Sequence, residues 1–174
     1  RIYYGGTLMN APADVSVSAS FSGYTPVMAF GDLNGDGFSD LVLGSSRNRT
    51  VWVTYGSASP QASASPDVTI SQSVSSFGAG IAVGDLTGDG YADLVVAAEA
   101  AETNTFVFCG GSLGLDASPD QSFTGVSSSG YGSGLAIADV DGDSCGDVLV
   151  GVQYDNGGTV RLHPGGSSGV QTSA

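Results

Sequence analysis

Residues 32–40 read Asp32-Leu33-Asn34-Gly35-Asp36-Gly37-Phe38-Ser39-Asp40, and the rest of the chain is read outward from this loop. Side chains bearing oxygen stand at positions 1, 3, 5 and 9, with glycines at 4 and 6. In so short a loop alternate side chains can converge on one point, and the carbonyl of position 7, Phe38, faces it too. Calcium takes six to eight oxygens at roughly 2.3–2.6 Å, and this spacing offers such a donor set. Glycine at positions 4 and 6 admits a left-handed backbone where a Cβ would clash.

The loop recurs twice. Asp85-Leu86-Thr87-Gly88-Asp89-Gly90-Tyr91-Ala92-Asp93 and Asp139-Val140-Asp141-Gly142-Asp143-Ser144-Cys145-Gly146-Asp147 begin 53 and 54 residues after their predecessors. The expected ligands are Asp32, Asn34, Asp36, Phe38 and Asp40; Asp85, Thr87, Asp89, Tyr91 and Asp93; and Asp139, Asp141, Asp143, Cys145 and Asp147, with position 7 contributing its carbonyl. Three Ca²⁺ sites of structural purpose are therefore expected. An EF-hand is excluded, because that loop closes with a bidentate Glu at position 12 between helices. Position 12 here is Leu43, Val96 and Val150, in strand-like sequence, so the ninth-position aspartate must close each site.

The repeat extends beyond the loops. Before each comes a short apolar strand A (Met28-Ala29-Phe30, Ile81-Ala82-Val83, Leu135-Ala136-Ile137), and after each a strand B (Leu41-Val42-Leu43, Leu94-Val95-Val96, Val148-Leu149-Val150). Continuous apolar runs bounded by turn signals fit strands buried on both faces. Strand C ends at a glycine each time, at Gly56, Gly110 and Gly165, and Arg1 to Gly5 repeats that pattern. Strand D follows an aspartate with polar alternation, at 15–19 after Asp14, 68–71 after Asp67 and 123–124 after Asp120. Four-stranded units at a period of about 40 to 55 residues are propeller blades. The expected fold is all-β: a β-propeller of four-stranded antiparallel blades, with three blades' worth of sequence. One domain, 1–174, is expected to hold strands C and D of an incomplete blade (1–20) and repeats at 21–73, 74–126 and 127–174, the last lacking strand D. Such a chain is a partial propeller, or part of a ring completed by another copy of itself or by the remainder of a longer propeller.

The motifs resemble the FG-GAP repeats that build the propeller of integrin α-subunits and many secreted proteins. Phe77-Gly78 and Tyr131-Gly132, each eight residues before a loop, match the first half of that name, while the first repeat has Tyr24-Thr25. The GAP position departs, reading Gly44-Ser45-Ser46, Ala97-Ala98-Glu99 and Gly151-Val152-Gln153. The resemblance covers essentially the whole chain. It implies calcium in the loops on one end of the propeller and a ligand surface on the opposite end. At that end the B–C turns carry Arg47 and Arg49, Glu99 and Glu102, and Tyr154 and Asp155 as candidate contacts. The third loop has Ser144 where glycine is usual, and Gly146 is expected to restore the lost freedom.

Composition agrees. The formal net charge is −13, but ten of the 17 acidic residues lie in the three loops, and three Ca²⁺ would bring the net charge to −7. With no lysine and four arginines, neither nucleic acid nor an anionic membrane surface is expected as a partner. No run approaches the roughly 20 apolar residues of a membrane span. The chain begins at Arg1 rather than Met, so a removed leader or longer N-terminal region is expected, and millimolar calcium points to a secreted or cell-surface setting. Cys109 and Cys145 form one bridge or remain two small hydrophobes.

Trp52, Tyr55, Phe106 and Phe108 on strand C are read as packing residues, and Tyr24, Phe77 and Tyr131 as wedges between blades. His163 has no histidine or cysteine partner at ligand spacing, and no nucleophile-elbow motif accompanies the many serines. No catalytic residue is expected. Residues 56–66 read as a surface loop of small residues. The functional expectation is a non-enzymatic, calcium-stabilised extracellular binding or adhesion module for protein or carbohydrate. The alternatives are a self-assembling structural subunit and the substrate-binding propeller of a secreted polysaccharide-active enzyme.

Overall fold

The computed structural model describes residues 16–17, 26–58, 63–98, 104–125, 130–154 and 157–172. Its strands are β1 (Ser16–Val17), β2 (Val27–Gly31), β3 (Asp40–Ser45), β4 (Thr50–Thr54), β5 (Ser63–Ala64), β6 (Val68–Ser71), β7 (Phe77–Gly84), β8 (Asp93–Ala98), β9 (Asn104–Phe108), β10 (Gln121–Thr124), β11 (Tyr131–Ala138), β12 (Asp147–Val152) and β13 (Thr159–His163). No helix occurs among the described residues, so none there is long and apolar enough to cross a membrane.

The strands make antiparallel blades. The first blade runs β2-β3-β4-β6 and the second β7-β8-β9-β10, each in the order A-B-C-D. The third runs β11-β12-β13 among the described residues. Register repeats from blade to blade: Met28 pairs Leu43 and Leu43 pairs Trp52, as Ile81 pairs Val96 and Val96 pairs Phe106. Alternation along each strand then sends successive side chains to opposite faces.

Two apolar layers lie between the blades. Val42, Val51, Val53 and Ile70 of the first blade meet Leu94, Val96, Phe106 and Phe108 of the second. Val95, Val107 and Phe123, on the other face of the second blade, meet Tyr131, Val148, Val150 and Val152 of the third. A strand between two neighbours must be apolar on both sides, and β8, with a blade on each side, is buried along its whole length, as is β3 of the first blade.

Strand A is longer than the sequence suggested. β7 and β11 begin at Phe77 and Tyr131, so the aromatic–glycine pair lies inside the strand rather than before it. Gly78 and Gly132 take φ of 86° and 84°, and the register shifts beside each, between Phe77 and Gly80 and between Tyr131 and Leu135. The bulge turns both aromatics inward: each is fully buried, and Phe77 sets its ring edge-to-face against Phe106 at 5.4 Å between centroids. Tyr24 lies outside the described residues.

The first C–D connection also differs from the loop expected at 56–66. It contains β5, which pairs in parallel with β1, Ser16 against Ser63 and Val17 against Ala64. The described part of the expected N-terminal strand D therefore pairs with a loop strand instead of a blade edge. The remaining residues of 1–20, with the expected strand C, lie outside the described residues.

Candidate metal centres

Each A–B loop is wound around its first aspartate. Asp32 accepts amide hydrogens from Asp36 (3.1 Å) and Gly37 (2.9 Å), and Asp85 from Gly88 (2.7 Å) and Gly90 (2.9 Å). Asp139 does the same with Gly142 (2.7 Å) and Ser144 (3.0 Å). The fifth-position aspartates Asp36, Asp89 and Asp143 each accept the amide of position 7, at 2.9, 3.0 and 2.8 Å. These bonds curl the chain tightly enough to crowd the carboxylates together.

The left-handed turn at position 6 is carried by Gly37 (φ 86°), Gly90 (φ 88°) and, in the third loop, Ser144 (φ 73°). Gly146 does not supply the freedom that Ser144 lacks, contrary to expectation. Its amide donates to the Asp85 carbonyl at 2.7 Å, and a Cβ there would lie 2.6 Å from Ile137 Cγ2 and 2.8 Å from that carbonyl. Glycine at 146 serves close approach to the second blade, and the strain stays in Ser144.

The ninth-position aspartates brace the loops from within. Asp40, Asp93 and Asp147 are buried. One oxygen of each accepts the position 2 amide, from Leu33 (2.7 Å), Leu86 (2.8 Å) and Val140 (2.9 Å). The other accepts the amide of the glycine ending strand C, from Gly56 (2.8 Å), Gly110 (2.8 Å) and Gly165 (2.9 Å). Each carboxylate thus ties its loop to strand C, and each oxygen keeps a lone pair for a cation. Sequence reasoning missed these three glycines as part of the site, although it had noted that strand C ends at glycine every time.

Burial pushes the Asp93 carboxyl up to about 6, against the opposing pull of the Gly110 and Leu86 amides, and the neighbouring Asp89 and Asp85 push it the same way. Burial also raises Asp40. A carboxylate held where its charge is disfavoured takes up a positive partner, either a proton or a metal cation.

The donor set fits a hard cation. In the third loop carboxylate oxygens of Asp139, Asp141 and Asp147 lie within 4.8 Å of one another. Asp143 stands outside that cluster. In the second loop Thr87 Oγ1, the third-position oxygen, is buried and has no hydrogen-bond partner. All these donors are oxygens, the preference of Ca²⁺ rather than of zinc.

The cysteines are free thiols. Burial first, then the nearby carboxylates Asp93, Asp120 and Asp89, push Cys109 up to about 12, so it stays an inert thiol at neutral pH. His163 is buried, with Nε2 2.9 Å from the Tyr131 hydroxyl and its ring 4.6 Å from that of Phe123, in a packing position.

At the opposite end Arg47 and Arg49 are exposed on the first B–C turn. Arg49 takes φ 53°, and its guanidinium donates to the Ser73 carbonyl at 3.4 Å, joining the B–C turn to the D–A turn. Tyr154 is exposed on the corresponding turn of the third blade. Glu99, Glu102 and Asp155 lie outside the described residues.

Residues 32–96 match the family of FG-GAP-like repeats. Integrin alpha-7 of Rattus norvegicus is 32% identical over 157 residues, covering 82% of this chain and 14% of its own length. Integrin alpha-V of Gallus gallus is 28% identical over 184 residues, covering 96% of this chain and 17% of its own. Phosphatidylinositol-glycan-specific phospholipase D of Rattus norvegicus is 32% identical over 118 residues, covering 55% of this chain and 14% of its own. The chain thus spans about a seventh of the length of these relatives. The matched region runs from the first loop through the second strand B, the elements whose geometry repeats here, and that region belongs to the family of FG-GAP-like repeats.

Proposed function

We propose that each A–B loop binds one Ca²⁺, through Asp32, Asn34, Asp36, Phe38 and Asp40, through Asp85, Thr87, Asp89, Tyr91 and Asp93, and through Asp139, Asp141, Asp143, Cys145 and Asp147. The bound ions hold together the blades of an extracellular adhesion-type module without a catalytic site of its own. The observation that carries this reading is the buried ninth aspartate, which fastens a crowded carboxylate loop to strand C. A cation relieves the repulsion among the other carboxylates and so stabilises the blade. At free calcium near 100 times Kd, one site contributes about 2.7 kcal/mol.

Calorimetric titration with CaCl₂ should give a stoichiometry of three, and Asp89→Ala should reduce it to two. Excess EDTA should lower the melting temperature. An unchanged melting curve would overturn the assignment.

The ligand is a protein or glycan met at the end opposite the loops, where Arg47, Arg49 and Tyr154 stand exposed. The similarity to integrins supports adhesion and a cell-surface or secreted setting. The match to a phospholipase supports a second reading, a propeller carried beside an enzyme. Specific glycan retention on an array without turnover selects the first reading, and hydrolysis of a bound polysaccharide or phospholipid selects the second.

A further inference from the structure

The three loops differ at position 3, which holds Asn34, Thr87 and Asp141, each followed by a glycine. In the first loop this sets a side-chain amide, Asn34, beside the backbone nitrogen of Gly35, which no Cβ shields. Asn48 is followed instead by Arg49, and Asn104 lies in β9 ahead of the buried Thr105. A second such step, Asn156-Gly157, has Asn156 outside the described residues. The fold itself keeps the first step in place. Gly35 holds φ 71°, and a Cβ there would lie 2.5 Å from the Tyr91 ring, so no larger residue can take its position and protect the amide.

The hydrogen bonds of the first loop leave this step open to reaction. Gly88 and Gly142 tie their amides to Asp85 and Asp139, both at 2.7 Å. Asp32 takes the amides of Asp36 and Gly37 instead, and among the described residues the Gly35 amide makes no hydrogen bond. The Asp36 amide also donates to Asn34 Oδ1 at 3.0 Å, so a donor already stands at the oxygen that gains negative charge when the amide carbon is attacked. Asn34 Nδ2, the group to be expelled, donates to Asp36 Oδ2 at 3.1 Å. Asn34 is half-buried and Gly35 exposed, so water reaches both.

We propose that Asn34 is a site of spontaneous deamidation, and that a cation held in the first loop suppresses the reaction; the second half rests on the calcium assignment. The Gly35 nitrogen bonds to Asn34 Cγ, the bond from Cγ to Nδ2 breaks, and Nδ2 leaves as ammonia with the Gly35 amide proton. The product is a cyclic imide. Water then opens either of its two C–N bonds, giving aspartate where Cγ is released and isoaspartate where the main-chain carbonyl carbon is released. A carboxylate before glycine, as at Asp141-Gly142, has no amine to expel, and Thr87 has no carbonyl to attack.

The two products affect the loop differently. Aspartate gives the first loop the carboxylates that the third carries at Asp139, Asp141, Asp143 and Asp147. Isoaspartate routes the main chain through Cγ, lengthening it by a carbon ahead of Asp36, and so disrupts the bonds of the Asp36 and Gly37 amides to Asp32. That form loses its cation site. Ring closure must turn the Asn34 side chain about χ1 and χ2 to bring Cγ onto the Gly35 nitrogen. Those torsions are fixed while Asn34 Oδ1, Asp32 and Asp36 share a cation. A loaded loop is protected, and loss of calcium leaves a covalent trace in the first blade.

The test is peptide mapping by mass spectrometry of the 174-residue chain, incubated in mildly alkaline buffer with excess CaCl₂ or with EDTA. The mass gain of exchanging NH₂ for OH marks deamidation, and labelling by an isoaspartyl methyltransferase marks the isoaspartyl form. In EDTA Asn34 should convert many-fold faster than Asn48, and calcium should slow it several-fold. Asn156-Gly157 belongs to none of the three loops, so its rate should match in the two buffers. Asp32→Asn, which keeps an acceptor for the loop amides and removes a charge, should bring the Asn34 rate in calcium close to the EDTA rate. Asn34 still intact in EDTA after Asn156 has converted would overturn the proposal. Equal acceleration of both steps in EDTA would assign the effect to unfolding and overturn the protection, as would equal Asn34 rates in the two buffers for a chain that titrates three calcium ions. A chain that titrates no calcium would remove the metal assignment instead, and Asn34 should then convert at the same rate in both buffers.

Discussion

β8 and β12 occupy the same place in successive blades, yet β8 is buried along all six residues while Leu149 and Gly151 of β12 are only half-buried. Their sequences differ little, Leu94-Val95-Val96 against Val148-Leu149-Val150. What differs is the neighbour. β8 has a blade on each side, and β12, among the described residues, has one on the side of Val148, Val150 and Val152. In the third blade the outer face of strand B is thus only half-buried, whereas β3 of the first blade is buried along its whole length, so the difference is particular to the third blade.

The sharpest way to break this comparison is to put one charge at each of the two equivalent positions. Val95→Asp buries a carboxylate between two blades without a partner and should cost more than about 4 kcal/mol, enough to unfold the second blade. Leu149→Asp faces the half-buried side and should cost about 1–2 kcal/mol, measured in urea. Equal losses at the two positions would mean that both faces of β12 are covered in solution.

A smaller effect compares the loops. Ser144 holds a left-handed φ that Gly37 and Gly90 hold without a Cβ penalty. Ser144→Gly should stabilise the third blade by about 0.5–1 kcal/mol, and Gly90→Ser should weaken the second by a similar amount. Melting both variants with and without calcium shows whether that strain belongs to the chain alone. A Ser144→Gly protein that melts earlier than wild type would place the strain elsewhere.

The smallest effect concerns strand C, where the third blade has His163 at the repeat position of Phe108. Burial lowers the His163 pKa below 6.5, and Arg161 adds to that shift. The unfolded chain then binds a proton more readily than the folded one just below pH 6.5. Stability should fall as pH drops through that value and recover as it rises. His163→Phe should remove this component, read as the difference between wild type and variant because Asp93, pushed up to about 6, changes stability in the opposite sense; identical pH profiles of the two proteins from pH 7.5 to 5.5 would contradict the assignment.

The sequence by itself determined the three loops, the four-strand period and the apolar identity of strand B, because each depends on the spacing of residues within about a dozen positions. It also implied that the loop oxygens come close together, since a loop this short leaves little freedom in where alternate side chains point. Contacts between distant residues were decided only by the tertiary structure. Asp40 reaches Gly56 across 16 residues, and Tyr55 accepts the Leu115 amide across 60, pairings that no local pattern encodes. The bulges that fold Phe77 and Tyr131 into the strands depend on the blade beneath them: a Cβ on Gly78 would press on the Ser45 amide, and one on Gly132 on the Ala97 methyl. Gly146 was legible as a glycine but not as a point of contact, because its reason is the Asp85 carbonyl of the neighbouring blade. The repeat writes the same face three times, and only stacking decides which copies of that face are covered and which stay open.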